Sequence, residues 1–278
     1  MVSVGTVWDR AVDFVRDHLG AVMPVLIATQ FAAPAISGSL AGVRAEASGG
    51  LAAGLGLLSL VTTLISLWGA LYLVGFAAQP TGREDHRTAM TIAKGRFLPL
   101  IGISIVVLVV LGVLALPGVL LAVASGFDFM AIANGVTMEP SEFGKLGSAL
   151  LYFLVFGLFI LWLSARLLPI NAVVAMERRG LGAFGRAFAL TRGMTWKLIG
   201  LILLYAIVAG IAVSAAQFVF GAVVALIVGD TGGLSVAAIG GAVAVAAVSS
   251  VLALYQSAFI GKLYRAIVGE QDDVAVFA

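Results

Sequence analysis

Long runs of apolar residues alternate with short polar segments along most of the chain. A helix of about 20 apolar residues is long enough to cross the hydrocarbon core of a bilayer. By this measure the pattern predicts six transmembrane helices, at about residues 21–40, 51–78, 97–124, 146–169, 198–228 and 234–268. The first is the most interrupted, by Pro24, Gln30 and Pro34. The predicted fold is therefore an all-α, polytopic membrane helical bundle that forms a single integral membrane domain over residues 1–278.

Residues 4–19 follow a different pattern, in which apolar positions recur three and four residues apart. The opposite face of such a helix has five charged residues, Asp9, Arg10, Asp13, Arg16 and Asp17. This segment is too polar to span a bilayer. It is expected to be an amphipathic helix that lies on the membrane surface and ends where the first span begins, at Gly20.

Similar amphipathic segments precede the third and fifth spans, which suggests an internal repeat. Near the end of each even-numbered span an aromatic residue is followed 15 or 16 positions later by a glutamate. The pairs are Trp68 and Glu84, Trp162 and Glu177, and Tyr255 and Glu270. We predict three copies of a unit with one interfacial amphipathic helix and two spans. The alternative is that aromatic and charged residues simply mark membrane interfaces, as in many membrane proteins.

Composition supports a membrane protein and excludes several kinds of chemistry. Hydrophobic residues make up 62% of the chain and charged residues only 11%, against about 25% charged in soluble domains. The absence of cysteine excludes disulfides and thiolate chemistry, and two isolated histidines make a histidine-rich metal site improbable. No set of catalytic side chains converges, so we expect no enzymatic activity and no cofactor. Gly50 and Gly54 have the spacing that permits close helix contact.

The distribution of lysine and arginine predicts the orientation. The N-terminus, the second and fourth loops and the C-terminus hold 14 of these residues, and the other side holds only Arg44 and Lys145. Cytoplasmic segments are enriched in positive charge. We therefore expect a multi-pass protein of the bacterial inner (plasma) membrane with both termini in the cytoplasm.

The most basic stretch is residues 166–197, which has six of the 16 lysines and arginines and one acid, Glu177. Arginine and lysine near a bilayer attract anionic phospholipid, at about 1 kcal/mol each. We predict headgroup contacts by a set of residues from this stretch and from the second loop. They are Arg178, Arg179, Arg186, Arg192, Lys197, Arg83, Arg87, Lys94 and Arg96. The alternative is that these charges only set the orientation. Glu177 is expected to form a structural ion pair with Arg166.

Part of this stretch resembles a known family. Pro169, the run from Glu177 to Gly180, the run from Ala187 to Gly193, and Trp196 are similar to the signature of the glycerophosphoryl diester phosphodiesterase membrane-domain family. That family is related to other uncharacterised bacterial six-span families. The resemblance implies an integral membrane protein, but it does not imply an activity, because the metal-binding His, Glu and Asp set of the soluble phosphodiesterase domain is not expected in this chain.

Two functional hypotheses remain open. The first is a non-enzymatic membrane scaffold or lipid-interacting protein, whose partners are anionic phospholipids and either further copies of itself or another membrane protein, but no nucleic acid. The second is a lipid or solute permease with a cavity near Gln30, Gln217 and Gln256. The spans have no confidently placed ionisable residue, which argues against coupled transport.

Overall fold

The helices of the chain are long, and several extend beyond the predicted spans. The computed structural model describes residues 3–126, 144, 146–177, 179–228 and 236–276, and this part of the chain has no β-strand. The helices are α1 (Val4–Leu26), a π-helical segment (Ile27–Ala32), α2 (Ala33–Ser39), α3 (Ala41–Glu46), α4 (Gly49–Ala77), α5 (His86–Ala124), α6 (Gly147–Leu167), α7 (Ile170–Glu177), α8 (Ala183–Leu190), α9 (Thr195–Val228) and α10 (Val236–Val276).

Six helical stretches are long and apolar enough to cross a membrane. They are Val4–Ser39, Gly49–Ala77, His86–Ala124, Gly147–Glu177, Thr195–Val223 and Ala238–Gly269. This confirms the prediction of an all-α chain with six helices able to span a bilayer, and it indicates a multi-pass membrane protein.

The N-terminal amphipathic segment is not a separate helix. Helix α1 continues through Gly20 without a break, where the sequence predicted a boundary. Its apolar residues Val7, Ala11 and Phe14 are buried, and α1 packs along α10. The apolar stripe is thus covered by the protein itself. In the same way α5 continues from His86 into the third span, whereas α8 is a separate short helix before α9.

The hydrophobic core lies at the end of the bundle where the charged segments meet. We call this the charged end, formed by residues 4–20, 78–96, 165–197 and 254–269. Residues 71–78, 172–175 and 258–260 belong to one cluster of buried side chains in this region. Farther along the spans, large apolar side chains face outward: Leu108 is 73% exposed and Ile211 66% exposed. In a bilayer these outward faces contact lipid.

Helix length explains this division. Helices α5 and α10 have 39 and 41 residues, which corresponds to about 60 Å each at 1.5 Å per residue. The hydrocarbon core is only about 30 Å thick. Both helices are therefore about twice as long as the hydrocarbon core is thick, which leaves length for their charged segments outside it.

The interrupted first span is joined to the second by a pair of hydrogen bonds. The π-helical segment follows Pro24, whose ring lacks the amide hydrogen that a regular helix requires. The Gln30 side-chain amide donates to the backbone oxygen of Ser66 over 2.7 Å, and the Ser66 hydroxyl donates to the backbone oxygen of Thr29 over 2.8 Å. The irregular backbone thus lies at a contact between two spans, where its polar groups are satisfied.

Close helix contact occurs at other glycines than the sequence suggested. A Cβ placed on Gly50 or Gly54 would meet nothing within 4 Å. On Gly261 of α10 it would lie 2.7 Å from the Cβ of Ala77 and 2.8 Å from the amide nitrogen of Ala78. Because these atoms include backbone, rotation of a side chain cannot relieve the overlap, and the backbone at the end of α4 would have to shift.

We expect Gly261→Ala to destabilise the protein by about 1–3 kcal/mol, because it overpacks this contact. The measurement is the temperature at which the detergent-solubilised protein loses its monodisperse peak in size-exclusion chromatography. Gly210→Ala is the matched control, since a Cβ there meets nothing within 4 Å and alanine favours a helix. Equal melting of the Gly261→Ala variant and the wild type would contradict the close contact.

Candidate functional site at the charged end

The centre of the charged end is a buried ion pair between α10 and the loop before α5. The Nζ atom of Lys262 lies 3.1 Å from Oε1 of Glu84, and the two side chains are only 7% and 4% exposed. The same Nζ lies 4.6 Å from the ring centroid of Phe14 on α1. Lys262 thus connects the N-terminal helix, the loop and the C-terminal helix, and its buried charge is compensated as a buried charge requires.

Local hydrogen bonds in the loop hold Glu84 in place. The buried side chain of Gln79 accepts from the amide of Asp85 over 2.7 Å and donates to its carbonyl over 3.0 Å. Asp85 then caps α5 by accepting from the Thr88 amide over 2.8 Å. Gly82 has φ +78°, a conformation that favours glycine, and its amide donates to Oε2 of Glu84 over 2.6 Å.

These contacts set the charge state of Glu84. Burial alone would raise the pKa of its carboxyl group. Hydrogen bonds from backbone amides and from Lys262, together with the lysine charge, outweigh burial and hold the pKa below the ordinary value of 4.5. Glu84 is therefore ionised at neutral pH.

An open cavity of about 490 Å³ lies over this ion pair. Side chains of both charge signs line it, including Arg10, Asp13, Asp17 and His18 of α1. The lining has two cations, Arg10 and Lys262, and three carboxylates, Asp13, Asp17 and Glu84, so it does not favour an anion. In the described part of the chain, no group of three or more histidine, aspartate and glutamate side chains is arranged to hold a metal ion.

A second acid, Glu177 at the end of α7, is also bound to α10. Nε of Arg186 donates to both carboxylate oxygens, over 2.9 and 3.1 Å, and Nε of Arg179 lies 3.0 Å from Oε2. The Tyr264 hydroxyl donates to Oε1 over 3.1 Å. Helix α7 itself is a buried element, with Val173 and Val174 fully covered. The carboxylate thus holds the basic segment against the C-terminal helix.

The structure gives Glu177 other partners than the predicted one. Arg166, at the C-terminal end of α6, is directed towards α8, where its Nη1 donates to the carbonyl oxygen of Phe188 over 3.2 Å. Its guanidinium lies 5.8 Å from the Trp162 ring centroid and 5.6 Å from that of Phe188. Arg186 reaches Glu177 instead, because α8 folds back against α7.

The predicted headgroup residues fall into three groups. Arg179 and Arg186 bind Glu177, and Arg96 is half-buried. Arg178 lies outside the described residues. The exposed members other than Arg179, which we call the basic face, are Arg83, Arg87, Lys94, Arg192 and Lys197. Trp196, next to Lys197, is 85% exposed. The structure thus brings an indole and several cations to one end of the spans, as at a membrane interface.

The three glutamines of the permease hypothesis lie apart. Gln30 bonds to the second span, and Gln256 of α10 accepts from the Tyr205 hydroxyl of α9 over 3.3 Å. Gln217 is exposed on the outer face of α9. The first two join neighbouring helices, which is a common use of polar side chains in membranes. Together they do not outline a shared cavity.

Sequence reasoning missed the pair of Lys262 and Glu84. In the sequence, Lys262 contributes only to the count of basic residues that predicts the orientation of the protein. The available signal was its position, since one lysine interrupts the otherwise apolar run from Ala258 to Tyr264. A charge within such a run indicates a buried partner.

Comparison of the chain with models of known protein families, with curated proteins and with solved structures gave no match. The resemblance of residues 169–196 to a phosphodiesterase membrane-domain family therefore stays a prediction.

We expect Glu84→Gln to lower stability by about 3 kcal/mol at neutral pH, because it leaves the buried Lys262 without a counter-charge. The double variant Glu84→Gln with Lys262→Met removes both charges and should recover most of this loss. Thermal unfolding of the solubilised protein measures both. Additive losses in the double variant would contradict a direct interaction.

The pair also predicts an acid sensitivity. Since the pKa of Glu84 is depressed, its stabilisation is complete above pH 4.5 and disappears as the pH falls through the lower pKa of the folded state. Wild-type protein should lose stability below about pH 4.5 more steeply than Glu84→Gln does. Parallel pH profiles would count against the pair as the cause.

Proposed function

We propose that this is a non-enzymatic integral protein of the bacterial inner membrane that binds anionic phospholipid through its charged end and acts there as a membrane scaffold. The supporting observation is that the charged end exposes more cations than acids. In the charged end, Glu84 and Glu177 are paired with cations, and Asp85 is exposed and hydrogen-bonded to Thr88. Helix α1 adds three exposed acids, Asp9, Asp13 and Asp17, beside the exposed Arg10 and Arg16, so the exposed cations of the charged end outnumber its exposed acids among the described residues. The basic face stays exposed.

This imbalance gives the surface beside the spans a positive potential. Each exposed cation near an anionic membrane surface contributes about 1 kcal/mol. Lys197 and Trp196 lie at the start of α9, and Lys94 lies on the first turns of α5. The outward apolar faces of the same helices provide contact for acyl chains. Anionic phospholipid fits both features, whereas a soluble anion fits only the first.

The proposal includes the orientation and the internal repeat. With the charged end in the cytoplasm, the basic face meets the anionic inner leaflet, in agreement with the excess of lysine and arginine in these segments. The repeat is supported by two equivalent glutamates, Glu84 and Glu177, which follow even-numbered spans and both bind α10. Acting as a scaffold implies a further partner, either another copy or another membrane protein.

We expect native mass spectrometry of the gently solubilised protein to detect more retained phosphatidylglycerol than phosphatidylcholine. The triple variant Lys94→Gln, Arg192→Gln and Lys197→Gln should reduce the number of phosphatidylglycerol molecules retained. The matched control is Arg10→Gln, Arg16→Gln and Arg265→Gln, which removes three exposed charges from the same end on α1 and α10. Equal loss in both triple variants would mean that overall charge, and not the basic face, attracts lipid.

The orientation has its own test. A reporter that is active only in the cytoplasm should be active when fused at Phe277, and a periplasmic reporter should be active when fused after Gly126. The reverse pattern would overturn the proposed membrane side of the charged end.

A further inference from the structure

A cavity of about 310 Å³ lies where α6 meets the start of α9. Five residues line it: Trp162, Arg166, Gly193, Thr195 and Trp196. Gly193 has φ +83° and turns the chain between α8 and α9. No residue of the basic face lines the cavity, although Arg192 and Lys197 are next in sequence to the lining residues Gly193 and Trp196.

Arg166 is the charged group of this cavity, and most of its donors have no acceptor among the described residues. A guanidinium group has five N–H donors. One of them binds the carbonyl of Phe188 over 3.2 Å. Nε has no partner among the described residues but is fully buried, so a ligand in the cavity contacts the Nη atoms and not Nε. The carboxylate nearest in sequence, Glu177, is bound to Arg179 and Arg186. A half-buried cation with unfilled donors and no carboxylate partner in the described chain favours an external anion.

Two tryptophans indicate that the cavity lies at the level of the lipid headgroups. Trp162 lies on α6 one turn before Arg166, and Trp196 lies on the first turn of α9. Tryptophan is enriched at the level of the lipid headgroups. The amino-terminal end of α9 also places the positive end of its helix dipole beside the cavity, which adds to the charge of Arg166.

The surface beside the cavity favours a lipid over a free ion. Helices α6 and α9 pack against each other. Their outward residues Leu158, Leu203 and Leu204 are 61%, 46% and 60% exposed and lie one to two turns from the cavity, towards the middle of the spans. A molecule with its phosphate at Arg166 therefore has an apolar surface for its acyl chains directly alongside.

We propose that this cavity is a specific site for the phosphate group of one phospholipid, which Arg166 binds between Trp162 and Trp196. The inference rests on the proposed function, because it places one defined lipid site on the end assigned to lipid binding. The cavity and the basic face differ in the number of lipids they bind: the cavity holds one lipid tightly, and the basic face attracts several weakly. Because the contact is with phosphate, phosphatidylcholine competes for it.

The test is a lipid titration followed by native mass spectrometry, with phosphatidylglycerol, phosphatidylcholine and inorganic phosphate as separate probes. Wild-type protein should bind one phosphatidylglycerol more tightly than the rest, and phosphatidylcholine should displace it. Arg166→Gln should weaken this first binding step about tenfold or more, the loss expected for a charged bidentate contact. Arg166→Lys, which keeps the charge but not the fork, should bind with intermediate affinity.

Two further variants separate a binding defect from a folding defect. Trp196→Ala removes an 85% exposed side chain and should weaken the first lipid without lowering the melting temperature. Arg16→Gln removes an exposed charge of α1 that belongs neither to the cavity lining nor to the basic face. It should leave the first binding step within about fivefold of wild type.

The outcomes distinguish a lipid site in the cavity from lipid binding by the basic face. An unchanged first binding step in Arg166→Gln and Trp196→Ala, together with lipid loss in the triple variant of the basic face, would overturn the site and leave the proposed function standing. No lipid loss in any variant would overturn both. Occupation of the site by inorganic phosphate with the same Arg166 dependence, and without a tightly bound lipid, would overturn the assignment to phospholipid.

Discussion

The structure depends on a short stretch of α10, in which nearly successive residues contact three different parts of the chain. Gly261 lets the backbone at the end of α4 approach closely. Lys262 neutralises Glu84 of the loop before α5, and Tyr264 binds Glu177 at the end of α7. Residues two apart on a helix point to different sides, so α10 is held from more than one direction. The loops of the charged end are ordered by their attachment to this helix.

This arrangement separates two kinds of packing in one molecule. At the charged end, side chains such as Leu71, Val173 and Leu263 are fully buried, and Glu84 and Glu177 are bound to cations. Along the outer parts of α5, α6 and α9 there is little burial, and large apolar residues face outward. A soluble protein would be unstable with such surfaces, but in a bilayer they are already in an apolar medium. The hydrophobic effect therefore stabilises mainly the part that projects into water.

Much of this fold could be predicted from sequence, because span length and charge distribution are properties of local segments. The six apolar stretches correspond to long helices. The packing of residues 4–19 could not be predicted. An amphipathic helix has the same sequence pattern whether lipid or protein covers its apolar face. Here α10 and α4 pack against α1, and Val7 and Phe14 are buried. The residue partners of Glu177 were missed for a similar reason, since a choice between Arg166 and Arg186 depends on how α8 folds back.

The pairing of glutamates on early loops with residues of α10 affects how the protein is made. Glu84 and Glu177 are synthesised before Lys262 and Tyr264. During translation Glu84, and the apolar surfaces of α4 and α7 that α10 later covers, lack their α10 partners until the last span has been synthesised, whereas Glu177 already has Arg179 and Arg186. The first five spans thus form an intermediate with exposed apolar surface, the kind of species that chaperones and membrane proteases recognise. Completion of α10 buries that surface in one step, so a correctly assembled molecule is distinguished from an incomplete one at the membrane surface.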